Sequence, residues 1–515
     1  MEPDGSVVPA VLGRQGRQSR QGRGDSRIQS AVKARTDDMA FWMARMEVTH
    51  PDILRGVPAF RVLQCFGRVL RNAGNYYNFS SAVQAIDEFC SHSWHGESWK
   101  KISLLLILKN GVVAFWTGTL GAIITTCFFC MDYLPGYFRR PFLGSSTYKY
   151  GPWALLTGLL VSAGALLLWR PRQTMFVDRV CIHQVDQSLK TEGVFNMGAF
   201  LKNSTSLLVL WDTTYATRLW CMFELAAFLQ SHSDGSKHLQ IRPLFLAPCI
   251  LAIGLCTTLM MMFELMVPFV SIYVVILKLS LLTLSCVTAA RLLFLYYSSV
   301  RALQTQLRVF RMQDARCFCC EHGHIDEQAG AVICDREIVT QCICQWFGSV
   351  EGFEGSVRTT VSSSLAAQLG HFPCPYWLLL QATAPVLWAH FDMVAARIHA
   401  GDFEFAVAVA IQALAWWLAL FPSSLFLVAV SYKFYERQWR GCLDRMMFCL
   451  SLLAPVVSLA GGVGYMYVCL RYVSNAIVGA LIFAFTMMIP ATLALRIWSK
   501  PMAEPSEVWE STSRA

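Results

Sequence analysis

The sequence predicts a mainly α-helical protein that crosses a membrane several times and carries a small α/β domain. Hydrophobic residues make up 55% of the 515 residues and charged residues only 15%. Few soluble proteins of this length are so apolar. The chain also contains a series of apolar runs of about 20 residues, the length that crosses a bilayer as a helix. Finally, a soluble-looking stretch from Thr174 to Leu246 alternates strand-like and helix-like segments.

Eight apolar runs are candidate membrane helices. They are Gly111–Met131, Pro152–Trp169, Leu244–Met266, Phe269–Leu292, Tyr376–Arg397, Phe405–Val430, Met446–Leu470 and Val473–Leu495. The fifth run is the weakest because Pro385, His390 and Asp392 interrupt it. Seven membrane helices are therefore the main alternative to about eight.

The basic residues predict the orientation of these helices. Arginine and lysine are abundant before the first run, and between the second and third, fourth and fifth, and sixth and seventh runs. Because basic loops favour the cytoplasmic side, an even number of crossings places these segments and both termini in the cytoplasm. The loop that holds Arg139, Arg140 and Lys149 is the exception. The net charge of +9 fits a multi-pass membrane protein, so the lipid bilayer is the expected partner and no nucleic acid is expected.

Changes in composition divide the chain into nine segments. They are a disordered basic arm (1–39), an amphipathic helical segment (40–85), a first strand and helix (86–110), a membrane hairpin (111–169), the remainder of the α/β domain (170–243), a second membrane hairpin (244–298), a Cys/His-rich segment (299–375), four membrane helices (376–497) and a C-terminal tail (498–515). The arm is predicted to be disordered because it contains almost nothing to bury.

The soluble-looking segments contain four predicted strands with helices between them. The strands are Ile86–Trp94, Thr174–Ile182, Ser206–Trp211 and Leu239–Leu246, and the helices are Trp99–Asn110, Gln187–Asn203 and Thr217–Gln230. This alternation is typical of a parallel sheet with helices on both faces. We therefore expect a parallel sheet of about four strands, which the first membrane hairpin splits in sequence.

Trp220 and Glu224 are the most informative pair of side chains in this domain. Residues four apart on a helix face the same way. An aromatic ring beside a carboxylate is suited to holding a nucleotide and acting on its sugar. The alternative is structural, namely a core aromatic residue beside a buried or salt-bridged acid.

Four motifs in this order resemble those of the TIR domain. They are Phe-Cys-Ser-His-Ser-Trp (Phe89–Trp94), Phe-Val-Asp-Arg-Val-Cys-Ile (Phe176–Ile182), Ser-Leu-Leu-Val-Leu-Trp (Ser206–Trp211) and the block from Tyr215 to Leu225. That block resembles the TIR pattern Tyr-x-x-Ser-x-Trp-Cys-x-x-Glu-Leu, with Arg218 in place of the serine. The chain also resembles uncharacterised multi-pass proteins of unicellular algae and related protists, in which a membrane hairpin splits such a domain.

The resemblance implies two different functions. TIR domains act by associating with one another, which implies a homo-oligomer that signals or scaffolds through this domain. In TIR domains that cleave NAD, the glutamate of the last motif is catalytic, which makes NAD the candidate substrate and Glu224 the candidate catalytic residue. Trp220, Ser91 and Asp178 are then the nucleotide-binding candidates, and a carboxylate near the ribose would stabilise the oxocarbenium-like state. The loop His183–Gly193 corresponds to the segment that closes the pocket or contacts a neighbouring domain.

A second candidate site lies among the cysteines and histidines that follow residue 316. Cys317, Cys319, Cys320, His322 and Cys334 are candidate zinc ligands, and His324, Cys342 and Cys344 lie close by in sequence. Zinc requires about four such ligands in a tetrahedral arrangement. The spacing lacks the paired C-x-x-C motifs of well-defined zinc folds. Palmitoylation of these cysteines is the alternative.

Ionisable residues within the apolar runs suggest a third function, a channel or transporter gated by the cytoplasmic domain. Glu264, Lys278, His390 and Asp392 lie where charges are costly and often functional. Lys278 is not expected to lie opposite Glu264. The alternative is that each of these side chains lies at the membrane interface.

Overall fold

The chain folds as two compact units. The computed structural model describes residues 21–142, 144–232, 238–267, 271–321, 324–326, 330–331, 333–369, 374–436 and 442–498. The first unit comprises the described residues within Met1–Leu105, Arg170–Leu244 and Arg301–Gln368. The second comprises those within Leu106–Trp169, Phe245–Val300 and Leu369–Ala515. The predicted Cys/His-rich segment therefore folds in the same unit as the predicted α/β domain.

The first unit contains a six-stranded mixed sheet. Its strands are β1 (Arg55–Pro58), β2 (Ser81–Ala82), β3 (Ile86–His92), β4 (Thr174–Phe176), β5 (Ser204–Trp211) and β6 (Leu239–Pro243). Their order across the sheet is β2-β1-β4-β3-β5-β6. Strands β4, β3, β5 and β6 are parallel neighbours, whereas β1 pairs antiparallel with both β2 and β4. The sheet thus contains the four expected parallel strands and two further strands, β1 and β2, which extend it beyond β4.

Strands β1 and β2 were not predicted, because the sequence of residues 40–85 resembles an amphipathic helix. The guanidinium group of Arg55 donates hydrogen bonds to the side-chain and backbone oxygens of Ser80, which hold the two segments together. Two other elements are shorter than predicted. Strand β4 gives way to the helical turn Asp178–Cys181, and the helix predicted over 187–203 is interrupted at Asn196. There the Asn196 side chain donates to the backbone oxygen of Glu192.

The described residues of the first unit also form helices. They are Gln21–Arg45, Ala59–Arg71, Asp178–Cys181, Gln187–Phe195, Met197–Lys202, Leu219–Ser231, Phe318–Glu321, Asp335–Phe347, Val350–Ser356 and Ser362–Leu369, with short 3₁₀ or π segments at Pro51–Ile53, Tyr77–Phe79, Tyr215–Thr217, Met312–Asp314 and Val357–Val361.

The helix Gln21–Arg45 corrects the disorder predicted for residues 1–39, since residues 21–39 lie within it. Its Ala40 and Met43 are buried, and its backbone oxygen at Ala44 accepts a hydrogen bond of 2.9 Å from the Trp346 indole. A distant helix therefore supplies the apolar contacts that the local composition lacks. Residues 1–20 of the arm and 499–515 of the predicted tail lie outside the described residues.

The remaining helices are largely apolar, and their lengths range from 7 residues in Tyr376–Ala382 to 37 residues in Ile272–Arg308. They are Ser98–Cys130, Trp153–Leu168, Leu246–Met266, Ile272–Arg308, Tyr376–Ala382, Ala384–His399, Phe403–Ala415, Phe421–Glu436, Cys442–Tyr472 and Ala476–Trp498, with a π segment at Trp416–Leu420. A two-stranded hairpin, Phe138–Phe142 with Gly144–Tyr150, also belongs to the second unit.

Six helices in the described part of the chain are long and apolar enough to cross a membrane, or seven if one bent pair counts as a single span. Their length and composition are consistent with a multi-pass membrane protein, and they number six or seven where the sequence predicts about eight. The run Pro152–Trp169 forms only the 16-residue helix Trp153–Leu168. The fifth run bends by 47° between Ala382 and Ala384, next to Pro385, whose missing N–H interrupts the helical hydrogen bonds.

Three of the ionisable residues in these helices, Asp392, Lys278 and Glu264, have partners on another helix of the second unit. The Asp392 carboxylate accepts hydrogen bonds from the backbone N–H groups of Ala154 (2.7 Å) and Leu155 (3.0 Å), so it caps the helix Trp153–Leu168. The Lys278 ammonium group lies 2.8 Å from the Glu264 carboxylate. The expectation that this pair would not meet is wrong, because the long lysine side chain reaches across to the preceding helix.

Candidate functional site

Polar side chains gather at the carboxyl ends of β3 and β5. The chain passes from β3 to its neighbour β4 on one side and then to β5 on the other. Such a reversal of direction creates a crevice at the strand ends, where open α/β sheets bind their ligands. Ser91 and His92 end β3, and Asp212 and Tyr215 follow β5. The order of the strands therefore places these four residues around one crevice.

Glu224 reaches this crevice from the helix Leu219–Ser231, which we call the Glu224 helix. Its carboxyl group accepts a hydrogen bond from the Ser91 hydroxyl, which also lies 2.6 Å from the Tyr215 hydroxyl. Burial raises the pKa of Glu224 to about 8, the bond from Ser91 opposes this rise, and the charge of Asp178 adds to it. Glu224 is therefore mostly a neutral acid at pH 7, and its side chain is almost completely enclosed.

Trp220 and Glu224 contact different elements. The Trp220 indole N–H donates to a carboxylate oxygen of Asp335 at 3.3 Å, and its ring packs edge-on against Phe223 at 5.5 Å. Glu224 instead bonds to Ser91 on β3. The structure thus brings Ser91 and Glu224 together, as expected, but turns Trp220 towards the helix Asp335–Phe347.

Asp178 lies at the carboxyl end of β4 and bonds to a residue that the sequence argument did not select. Its carboxylate accepts a hydrogen bond of 2.7 Å from the Trp94 indole. The guanidinium group of Arg179 lies 3.6 Å from the centre of the same indole ring. Burial raises the pKa of Asp178, and the bond from Trp94 opposes that rise. Trp94 lies within the first motif, directly after a buried strand, which is the signal that could have identified it.

Lys101, Asp212 and His92 were also missed by the sequence argument. The Lys101 side chain is buried, and its ammonium group donates to the Ser93 backbone oxygen at 2.5 Å. One Asp212 carboxylate oxygen and the His92 Nε2 are buried without a hydrogen-bond partner among the described residues. Burial lowers the pKa of His92 well below its usual value, so its ring is neutral. For Asp212 the available signal was its position directly after the apolar end of β5, whereas Lys101 lies within the helix Ser98–Cys130, where no comparable pattern marked it.

Four sulfur atoms form a compact group elsewhere in the first unit. Those of Cys317, Cys319, Cys320 and Cys334, which we call the cysteine cluster, all lie within 4.8 Å of one another. None of the four is in a disulfide. His322, the fifth predicted ligand, lies outside the described residues. His324 is exposed and is not part of the cluster.

The sequence matches no protein-family model, and it shows no significant similarity to a curated protein or to a solved structure. The TIR-like assignment therefore depends on the motifs quoted above.

Proposed function

We propose that this chain is a membrane-anchored signalling or scaffolding protein whose first unit, a TIR-like domain in the cytoplasm, associates with the same unit of other copies. The observation that carries this proposal is an exposed apolar pair after β4, with Val185 in the loop and Leu189 in the first turn of the helix Gln187–Phe195. The Val185 side chain is 69% exposed and that of Leu189 is 39% exposed. The TIR resemblance implies that this segment either closes the pocket or contacts a neighbouring domain, and we propose the second.

Hydrogen bonds fix the conformation of this loop. The His183 ring nitrogen Nδ1 accepts from the Asp186 N–H at 2.9 Å, and the His183 ring packs edge-on against Tyr77 at 5.0 Å. The Asp186 carboxylate in turn caps the following helix by accepting from the N–H groups of Ser188 and Leu189. A loop that is already ordered loses little conformational entropy when a partner binds. Val185 is therefore presented on a rigid surface.

The division of the first unit supports its placement on one side of the membrane. Its three stretches are separated in sequence by residues 106–169 and 245–300, so each intervening stretch has to return the chain to the same side. The first return requires the 16-residue helix Trp153–Leu168 to cross, although its length of about 24 Å is below the 30 Å of a typical hydrocarbon core. We propose that this helix and the bent pair both cross in addition to the six spans, which gives eight crossings and puts both termini on the side of the first unit. The basic residues favour the cytoplasm for that side.

The enclosure of Glu224 favours association over catalysis as the primary role. A nucleophile or charge stabiliser has to be ionised and accessible, whereas Glu224 is buried with a pKa of about 8.

Energy transfer between two populations of labelled full-length protein in liposomes tests the proposal. Val185→Asp should weaken association roughly tenfold, since burying an unpaired carboxylate costs at least about 1.4 kcal/mol. Val309→Asp is the matched control, because Val309 is 64% exposed and lies elsewhere in the first unit. Equal association of the wild type and Val185→Asp would refute the role of this loop.

NAD cleavage by Glu224 is the second candidate function. The position of Glu224 at the crevice between β3 and β5, bonded to Ser91, favours it. NAD consumption by the purified protein, measured beside Glu224→Gln, tests it directly. Turnover that is lost in the variant would establish the enzyme, and no turnover by concentrated wild type would remove this candidate. A gated channel has less support, because Asp392 and Lys278 already have partners within the second unit.

A further inference from the structure

We propose that the cysteine cluster binds one zinc ion, and that this ion fixes the start of the Glu224 helix. The proposal does not depend on the proposed function. It follows from the positions of four sulfur atoms and from the backbone contacts on either side of them.

The distances between the sulfur atoms fit a single tetrahedral ion. Zinc–sulfur bonds of about 2.3 Å in a tetrahedron separate the sulfur atoms by about 3.8 Å. The sulfur of Cys334 lies 3.7 Å from that of Cys320 and 4.0 Å from that of Cys319. The Cys317 and Cys319 sulfurs are 3.1 Å apart, and a small rotation of either side chain would separate them further. That distance is well beyond the roughly 2.05 Å of a disulfide bond.

The chemistry of the cluster favours zinc over the other occupants. Four thiolate ligands exclude magnesium and calcium, which prefer oxygen. A [4Fe–4S] cluster would hold its ligands farther apart, because each thiolate binds a different iron atom. Palmitoylation requires an accessible thiol, whereas Cys317 and Cys319 are 3% and 2% exposed. Thiols form only weak hydrogen bonds with one another. A shared metal ion therefore explains better than hydrogen bonding why these four sulfur atoms lie so close together.

The residues next to the cluster attach it to the Glu224 helix. Arg316, directly before Cys317, donates its N–H to the Thr217 oxygen at 2.6 Å and accepts from the Leu219 N–H at 3.3 Å. On the other side, Asp335 directly follows Cys334 and accepts the hydrogen bond from Trp220. The residues next to Cys317 and Cys334 therefore contact the first turn of that helix. One ion bound to both cysteines would fix these two contacts relative to each other.

The local structure explains why an ion is needed here. Between the 3₁₀ turn Met312–Asp314 and the helix that begins at Asp335, the described residues form one helical turn, Phe318–Glu321, and two strands of two residues each. So little regular structure cannot fix a position by itself. Structural zinc supplies folding free energy in such segments.

Metal analysis of the full-length protein, purified in detergent without chelators, tests the proposal. We expect roughly one zinc ion per chain in the wild type and in Cys344→Ser, whose cysteine lies outside the cluster. Cys334→Ser should lose the zinc. Wild-type protein without zinc, protein that carries iron instead, or Cys334→Ser with the full zinc content would each overturn the proposal.

A second measurement uses only the wild type, so it does not depend on the folding of a variant. Strong chelation should make the four clustered cysteines reactive towards alkylation and should increase hydrogen exchange in the Glu224 helix. If alkylation of these cysteines is the same with and without chelator, zinc is not their ligand. If zinc leaves and hydrogen exchange in residues 219–231 does not change, the ion does not hold that helix.

Discussion

The protonated state of Glu224 makes the stability of the first unit depend on pH, and Glu224→Gln should remove that dependence. The unfolded chain releases the Glu224 proton near its usual pKa of 4.5, whereas the folded unit retains it up to about pH 8. Between these values the unfolded state binds fewer protons than the folded state, so the free energy of unfolding falls as pH rises. Glutamine has nearly the same shape and does not titrate.

The size of this effect follows from the rise in pKa. A difference of about 3.5 pKa units at about 1.36 kcal/mol per unit corresponds to roughly 5 kcal/mol, most of it lost between pH 5 and pH 8. For a unit of 150–250 residues, each kcal/mol shifts the thermal midpoint by about 2–4 °C. The thermal midpoint of Glu224→Gln minus that of the wild type should therefore increase by roughly 10 °C from pH 5 to pH 8.

Thermal unfolding of the detergent-solubilised proteins, followed by intrinsic fluorescence at both pH values, measures this difference. Asp178, whose pKa is also raised by burial, contributes to the pH dependence in the same direction in both proteins. Glu47→Gln is the control, because Glu47 is exposed and its ion pair with Arg45 lies at the surface. If Glu224→Gln and wild type have parallel pH profiles, Glu224 is ionised in the folded unit and the reasoning is wrong.

Two further predictions concern the edge of the sheet and a buried cap. The Gln368 side chain donates a hydrogen bond to the Leu239 backbone oxygen and accepts one from the Ile241 N–H. Gln368→Glu should therefore lower the free energy of unfolding of the first unit by about 1–3 kcal/mol and increase hydrogen exchange in β6. Unchanged exchange in β6 would contradict this role. Asp392→Leu removes both hydrogen-bond acceptors at the start of the helix Trp153–Leu168 and should lower the free energy of unfolding of the second unit by about 1–3 kcal/mol. Asp392→Asn keeps one acceptor oxygen and should lower it less. Equal thermal midpoints of the wild type and both variants would contradict the role of Asp392 as a cap.

The local pattern of the sequence was sufficient for the parallel part of the sheet. Strand β5 contains the apolar run Leu207–Trp211, which is typical of a buried parallel strand, and β3 ends in the polar residues Ser91 and His92. The sequence also indicated that the parallel sheet would stop after four strands. It could not show which residue bonds to the exposed backbone groups of β6, because Gln368 lies more than 120 residues later in the chain. The Gln368 side chain bonds to the N–H of Ile241 and the oxygen of Leu239, as the backbone of a further strand would.

The candidate sites were predictable only in part, because long-range contacts decide their geometry. The spacing of Cys317, Cys319 and Cys320 keeps these residues close together, but only the tertiary fold brings Cys334 to them. In the same way, helical periodicity placed Trp220 beside Glu224, whereas a hydrogen bond to Asp335, over 100 residues away, sets the orientation of the indole. Helical spacing constrains the direction of a side chain but does not select its partner.

Single-molecule photobleaching of fluorescently labelled full-length protein in liposomes, at low protein density, tests the central claim most directly. The account predicts that wild-type spots bleach in two or more steps, and that Val185→Asp shifts most spots to a single step while Val309→Asp does not. Single-step bleaching of the wild type over the whole accessible density range would contradict the claim that the protein acts by association of its first units.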